Sequence, residues 1–182
     1  MYFTRNFPTI DYDPTGSGDT KKIQDIITRI KVRDGIRERA SLFSKYSVME
    51  GQSPEMLSFT FYGDVKYYWT ILVLNKMYNR YYDWPMTERH LRDYVNDTYT
   101  DPDAVHHYEV AQSSGDTNTM IRVESDADGA TSVSNFVYER DLNDERKKIR
   151  LLQTTYLSQF VEEYGKLLKS AKTSQWPAYL TP

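Results

Sequence analysis

Apolar residues recur at helical spacing in several segments of the chain, and other segments alternate apolar and polar residues as strands do. Residues 1–19 carry Phe3, Phe7 and Tyr12 together with two prolines and end in a Gly-Ser-Gly turn, which predicts an extended arm. The arm is too short to bury these rings by itself, so we expect them to pack on the body of the protein or on another chain. The segment 20–41 predicts a short helix and a charged connector, because four isoleucines fall at i, i+3, i+4 and i+7: Ile23, Ile26, Ile27 and Ile30.

The segment 42–95 carries the clearest signals for where helices begin and end. Mixed apolar and polar β-forming residues at its start predict a strand. Ser53 is a suitable N-cap, Pro54 fits the first helical position, and Gly63 can end that helix in the left-handed conformation. Two more helices are predicted, an aliphatic one after Gly63 and one that Thr87 can cap beyond an aromatic loop.

The second half of the chain predicts a hairpin and then a long helix. Residues 96–138 are mostly polar, and two strand-like runs flank a Ser-Ser-Gly-Asp-Thr-Asn tip, which indicates a connector with a β-hairpin. Over 139–172 only Gly165 interrupts a helical pattern with two apolar stripes. Such a helix would span roughly 50 Å, against a radius of gyration of about 16 Å for a compact chain of this size. We therefore expect it to protrude and to need a partner, unless it lies across the whole domain. Residues 173–182, with Trp176, predict an aromatic tail.

The composition leaves two interpretations of the aromatic residues open. Tyr, Phe and Trp make up 14% of the 182 residues, while all hydrophobic residues make up 39%. The rings therefore form either an aromatic core or a surface that binds partners. A net charge of −3 disfavours a nucleic-acid binder that relies on a basic face. No apolar run approaches the roughly 20 residues that cross a bilayer, and the first residues lack the pattern of a secretion signal. We expect a soluble protein made in a reducing cytoplasm.

Motifs for catalysis, metals and cofactors are missing from the sequence. It has no cysteine, no Gly-x-Ser-x-Gly, no phosphate-binding loop and no His-Glu-x-x-His. His106 and His107 are adjacent in a strand-like run, so their side chains should face opposite ways and not share a metal. The acidic stretch 126–129 lacks the spacing of a calcium loop. We expect no enzyme, metal or cofactor, although an enzyme whose groups meet only in three dimensions stays as an alternative.

Two resemblances are carried by residues in order along the chain. Residues 46–75 are similar to a LysM module, with a strand, a Gly turn, and two helices that meet at a Tyr-Gly pair. A wider pattern resembles the small, wedge-joining baseplate subunit of T-even-type contractile phages: Gly51, Pro54, Glu55, Leu57, Tyr62, Gly63, Tyr68, Trp69, Asn75, Tyr81, Tyr82 and Trp84. The stretch from Asn143 to Ile149 resembles that family's signature before a long helix, and the Phe-rich start also fits.

This resemblance implies an α+β protein with a small LysM-like β-α-α-β domain at 42–95, whose second strand would stand near Pro85. Around it lie the extended N-terminal arm, the β-hairpin insertion and the long C-terminal helix. The implied role is structural. Several copies, six in one ring, would bind other wedge and hub proteins in the virion baseplate and join adjacent wedges around the hub.

The residues expected to bind partners are mostly aromatic and lie in the arm, the aromatic loop, the long helix and the tail. They are Phe3, Phe7, Tyr12, Tyr68, Trp69, Tyr81, Tyr82, Trp84, Ile149, Leu152, Tyr156, Phe160, Tyr164 and Trp176. The alternative function is that of a LysM-type glycan-binding module that recognises peptidoglycan.

Overall fold

The computed structural model describes residues 7–26, 30, 32, 34–112 and 119–170. Helices and strands are mixed along the chain, which confirms the α+β class. The strands are β1 (Thr9–Tyr12), β2 (Lys21–Gln24), β3 (Phe43–Ser47), β4 (Val105–Ala111), β5 (Met120–Val123), β6 (Thr131–Ser134) and β7 (Lys148–Leu152). The helices are α1 (Asp34–Arg37), α2 (Pro54–Tyr62), α3 (Tyr68–Leu74), α4 (Arg80–Asp83), α5 (Glu88–Thr98), α6 (Asn135–Lys147) and α7 (Thr154–Ser170).

The chain divides into two compact units. Unit 1 contains the described residues up to Lys45, then Ser53–Tyr78, then those from Arg150 onward. Its core combines residues that are far apart in the sequence, which makes α7 part of this unit: Val32, Phe43, Trp69, Leu74, Leu152, Leu157, Tyr164 and Leu168. Unit 2 contains Tyr46–Gln52 and Asn79–Ile149.

Strands β3 and β7 are hydrogen-bonded neighbours. The Gln153 amide donates to the Leu42 carbonyl at 3.0 Å, and the Val48 amide donates to the Lys147 carbonyl at 2.9 Å. One residue number rises as its partner falls, so the two strands are antiparallel. The chain places α4, α5, β4, β5, β6 and α6 between α3 and β7. Without these inserted elements, the order is strand, helix, helix, strand, from β3 through α2 and α3 to β7.

The second strand does not follow Pro85, where the resemblance implied it. Helix α5 follows instead, and the hydroxyl of Thr87 caps it by accepting from the His90 amide at 3.3 Å, as the sequence predicted. The strand that pairs with β3 comes from residues 148–152. The N-cap Ser53 and the left-handed Gly63 of α2, with φ 75°, are also confirmed.

The prediction of one long helix over 139–172 is wrong. Helix α6 ends at Lys147, β7 occupies Lys148–Leu152, and α7 begins at Thr154. Residues Ile149, Leu151 and Leu152 of β7 are buried, and the backbone of the strand pairs with β3. The described residues 139–170 form no single helix of 50 Å, so the argument that such a helix needs a second protein no longer applies.

The N-terminal region also differs from its prediction. Strand β1 pairs with β2 in an antiparallel hairpin, with Thr9 opposite Gln24 and Tyr12 opposite Lys21, so residues 7–19 are not a free arm. Residues 21–24 form a strand instead of the start of a helix, because the pairing offers their backbone partners. Phe3, Trp176, the tail 173–182 and the middle of the predicted helix lie outside the described residues.

The sheet of unit 2 has the order β5-β4-β6. The β4–β5 hairpin is confirmed, with Tyr108 opposite Val123 and Ala111 opposite Met120; its tip lies outside the described residues. The β4–β6 register shifts between Val105 and His107, which indicates a bulge at His106. The bulge cancels the alternation of side chains, so the expectation that His106 and His107 face opposite ways is wrong. Their rings are 5.1 Å apart between centroids.

Candidate partner-binding surfaces

Two tyrosines stand out from the short helix α4 in unit 2. Tyr81 is 82% exposed and Tyr82 is 59% exposed. Asn79 caps the helix, because its Oδ1 accepts from the Tyr81 amide at 3.0 Å and its own amide donates to Asp83 Oδ2 at 2.8 Å. These reciprocal hydrogen bonds hold the single turn in place. The two phenol rings are thus presented to solvent by a backbone of defined conformation.

The residue after this helix, Trp84, has the opposite environment. Its side chain is buried, and its Nε1 donates to the Gln52 carbonyl at 2.8 Å. An indole that is buried and hydrogen-bonded in this way fixes the chain directly after α4, the turn that carries Tyr81 and Tyr82. Trp84 therefore supports the two exposed tyrosines, and its own ring is covered.

A second exposed apolar patch lies on α2 in unit 1. Leu57 and Ser58 are buried, while Met56 and Phe59 on the other face are 59% and 62% exposed. The sequence analysis did not single out Met56 and Phe59. Apolar residues of α2 occur on all of its faces, so their spacing does not show which face is buried. Met56 and Phe59 together form the α2 patch.

Most of the other predicted partner-binding residues lie within the core of unit 1. Trp69 stacks on Phe160 with centroids 6.1 Å apart, and its centroid is 5.1 Å from that of Tyr164. Leu152 is buried in the same cluster, and Phe7, Tyr68 and Phe160 pack against it half-buried. Ile149 of unit 2 is buried as well. Partner binding by these residues stays a prediction, but a partner reaches the buried ones only if the core opens.

Two predicted residues of unit 1 remain on its surface. Tyr12 in the hairpin and Tyr156 in α7 are exposed. The sequence left open whether the aromatic rings form a core or a docking surface. The structure separates the rings one by one according to their exposure. Trp69 and Tyr164 build the core, and Tyr12, Tyr81, Tyr82 and Tyr156 are accessible.

A cleft of about 370 Å³ lies in unit 2 between α5 and α6. Leu91 and Phe136 supply apolar lining, and the guanidinium of Arg92 lies 5.5 Å from the Phe136 ring centroid. Its charges are largely paired, since Arg92 contacts Glu88 at 2.7 Å and Lys147 contacts Asp144 at 2.7 Å. Exposed pairs of this kind contribute little to stability. The cleft is a groove of mixed charge and not a concentrated anion or cation site.

Clusters of metal ligands and membrane-spanning helices are both missing from the described ranges. No group of three or more His, Asp or Glu residues there is placed to hold a metal ion. No helix in the same ranges combines the length and apolar character needed to cross a membrane.

The arrangement defines a small α+β protein whose accessible tyrosines and α2 patch are suited to contacts with other proteins. Residues 37–101, about a third of the chain, match the family described as "Base plate wedge protein 53". On this match the chain is similar to a baseplate wedge subunit of a phage, which confirms the recognition that the ordered motif indicated. No curated protein matches the chain.

The matched segment contains the α2 patch, Tyr81, Tyr82 and the whole motif from Gly51 to Trp84. The family description indicates a structural protein of the phage baseplate wedge, located in the virion tail and associated with other baseplate proteins. A structural family favours a non-enzymatic role.

Proposed function

We propose that this protein joins adjacent wedges of a phage tail baseplate to each other and around the central hub during tail assembly. Six copies would occupy one ring, each contacting wedge and hub proteins after synthesis in the host cytoplasm. The protein acts as a connector and catalyses no reaction. Support comes from the family match and from the exposed aromatic residues within the matched segment.

The observation that carries this proposal is the presentation of Tyr81 and Tyr82. A tyrosine on a preformed turn loses little conformational entropy when a partner covers it, and it offers both apolar area and a hydroxyl. Such residues are frequent among the few that dominate binding energy at an interface. The hydrogen bonds of Asn79 and the buried Trp84 fix the backbone that carries both rings before a partner binds.

The α2 patch supplies a second contact surface on unit 1. Met56 is adaptable in shape, and Phe59 adds a flat ring, so the pair suits an apolar depression on a partner. One interface of standard size buries about 1,600 Å² in total. A connector needs at least two contact surfaces, and the α2 patch and the α4 tyrosines lie on different units.

The experiment uses wedge particles that lack this protein, taken from the phage that carries it. Purified chain is added, and ring formation is scored by sedimentation and electron microscopy. We expect Tyr81→Ala/Tyr82→Ala to reduce ring formation at least about tenfold, as the loss of about 1.4 kcal/mol at one contact would do. The matched variant Tyr81→Phe/Tyr82→Phe keeps both rings and should retain most assembly. Unchanged ring formation with the alanine pair, at unchanged stability, would refute the proposed contact.

A glycan-binding role is the second candidate, because the order β3-α2-α3-β7 with antiparallel strands supports the LysM-like interpretation. Its test is retention of the full chain on insoluble peptidoglycan. Trp69→Ala is unsuitable here, since Trp69 is buried and its loss would disturb the core. Met49→Ser, at an exposed position beside the Gly51 turn, is the better variant. Retention that this change abolishes favours glycan binding, and no retention rejects it.

A further inference from the structure

The two adjacent histidines of β4 are in direct contact. His106 Nδ1 lies 2.9 Å from His107 Nδ1, a hydrogen-bond distance. The His106 ring also stacks on Tyr138 of α6, with centroids 3.9 Å apart and planes at 11°. His107 meets the same tyrosine edge-on, with centroids 5.8 Å apart. The pair therefore connects the bulge of β4 to helix α6 within unit 2.

The bond between the two rings requires one proton. A neutral imidazole donates through one nitrogen and accepts through the other, whereas a protonated one can only donate. With one proton between the two Nδ1 atoms, His106 and His107 are compatible at 2.9 Å. When both rings are fully protonated, two N–H groups and two positive charges face each other, and the contact cannot persist.

Several titratable groups surround this pair. In the strands these are Glu109 of β4, whose Oε2 lies 3.6 Å from His107 Nε2, and Arg122 of β5. Strand β6 contributes no titratable side chain. Tyr99, which follows α5, donates to the buried Glu139 of α6 at 2.9 Å and also meets the His106 ring edge-on. Tyr138 completes the set.

The balance of these groups opposes a positive charge on His106. Burial lowers its pKa first, and the charges of His107 and Arg122 lower it further, while Glu139 raises it by a smaller amount. The folded pKa therefore lies below the ordinary value of 6.5. The folded state binds fewer protons than the unfolded chain in the interval between these two values.

We propose that His106 and His107 form an acid-sensitive latch that holds β4 against α6, closed while one proton lies between the rings and opened when both rings are protonated. This inference concerns a property that the connector role does not require. Within the described residues, no group of three or more metal-binding side chains is placed to hold a metal ion. The hydrogen bond between the two rings depends on a single proton, so a proton is the species to which this geometry responds.

The direction of the pH effect follows from the depressed pKa of His106. Its stabilising contribution is fully present above the unfolded value of 6.5 and is lost as the pH falls through the lower folded pKa. Acid should therefore loosen the contact between β4 and α6.

The experiment is an NMR titration of the histidine rings in the full chain. We expect the His106 ring to titrate in a step that lies lower than its ordinary value of 6.5. His90, on the exposed surface of α5, supplies the control variant. The ring-current shift that Tyr138 imposes on His106 should disappear across that lower step.

Two variants sharpen the test. His107→Gln keeps a donor and an acceptor without a titrating charge, so it should reduce the loss of stability between about pH 7 and about pH 5. His90→Gln should leave that loss unchanged. If His107→Gln does not fold, the titration of the unmodified protein decides. The latch is refuted if the His106 ring titrates at or above its ordinary value of 6.5, or if folded His107→Gln loses stability in acid as the unmodified protein does.

Discussion

The side-chain amide of Asn75 is hydrogen-bonded to both backbone groups of Arg150. Asn75 Nδ2 donates to the Arg150 carbonyl at 2.8 Å, and the Arg150 amide donates to Asn75 Oδ1 at 2.9 Å. Asn75, which follows α3, thus makes with Arg150 of β7 the donor and acceptor hydrogen bonds that the backbone of a neighbouring strand would make. Asn75 belongs to the motif that carried the family resemblance, and in this chain it makes a contact across 75 positions in the sequence.

Replacing Asn75 by alanine should destabilise unit 1. The change removes both bonds to Arg150 and a third in which Nδ2 donates to the Ile71 carbonyl at 2.9 Å. A polar group left without its partner in a partly buried place costs about 1–3 kcal/mol. Urea unfolding followed by circular dichroism measures this loss. Asn96→Ala, at an exposed site of α5, is the matched control and should change the stability by less than about 0.5 kcal/mol.

Asn143 makes the equivalent contact within unit 2. Its Nδ2 donates to the Met86 carbonyl at 3.0 Å, and its Oδ1 accepts from the Met86 amide at 2.7 Å. Asn143 is buried, so Asn143→Ala leaves both backbone groups without a partner. We expect a loss of about 1–3 kcal/mol in the free energy of unfolding. Hydrogen exchange at the Met86 amide should rise at the same time, and a protected Met86 in this variant would contradict the assignment.

Local signals predicted the helix ends well, because caps depend on a few adjacent residues. Ser53, Gly63 and Thr87 all act as the sequence indicated. The break between α6 and α7 had no such signal, since residues 148–152 contain neither Gly nor Pro and fit a helical pattern. Their strand conformation depends on β3 and on Asn75, about 70 to 110 positions earlier in the chain. Tertiary pairing therefore overrode local preference here.

The predicted partner-binding residues show the same limit of prediction from local sequence. Aromatic content left an aromatic core and a partner-binding surface open, and it could not separate Trp69 from Tyr81. Each of the two has a tyrosine beside it in the motif, but Trp69 is covered by core residues that include Phe160 and Tyr164. Exposure is a property of the assembled core, and a single sequence carries little information about it.

Tyr62 and Tyr99 allow two hydroxyl deletions to be compared. Burial raises the pKa of Tyr62 to about 12, and although Thr70 and the Leu152 backbone lower the pKa in part, neither completes a hydrogen bond of standard geometry within the described structure. Tyr62→Phe should therefore be neutral or slightly stabilising. The Tyr99 hydroxyl donates to the buried Glu139 at 2.9 Å, so Tyr99→Phe should cost about 1–3 kcal/mol. Equal stability of the two variants in urea would contradict this difference.

The same two tyrosines should ionise late in base. Burial, and then the hydrogen bond to Glu139, raise the pKa of Tyr99 to about 12. A phenol whose folded pKa is raised contributes stability that is fully present below the unfolded value of 10.0 and is lost as the pH rises through the folded value. Absorbance near 295 nm should show the delayed ionisation, and each Phe variant should remove one late-titrating phenol from the curve.

The turn between β1 and β2 depends on the carboxylate of Asp13. Its oxygens accept from the backbone amides of Thr15 at 3.0 Å, Gly16 at 2.8 Å and Gly18 at 2.7 Å. These bonds, with that of Gly18 the largest contribution, lower the pKa of Asp13 below its ordinary 3.8. The stability that Asp13 contributes is thus present above 3.8 and is lost as the pH falls through the lower folded value. Asp13→Ala should raise hydrogen exchange at the paired amides of β1 and β2 at neutral pH, while Asp19→Ala, an exposed neighbour, should not. Acid should also raise hydrogen exchange in the hairpin of the unmodified protein, whereas Asp13→Ala should show no further acid-dependent increase there. If the hairpin amides are equally protected in Asp13→Ala and Asp19→Ala, Asp13 does not stabilise this turn.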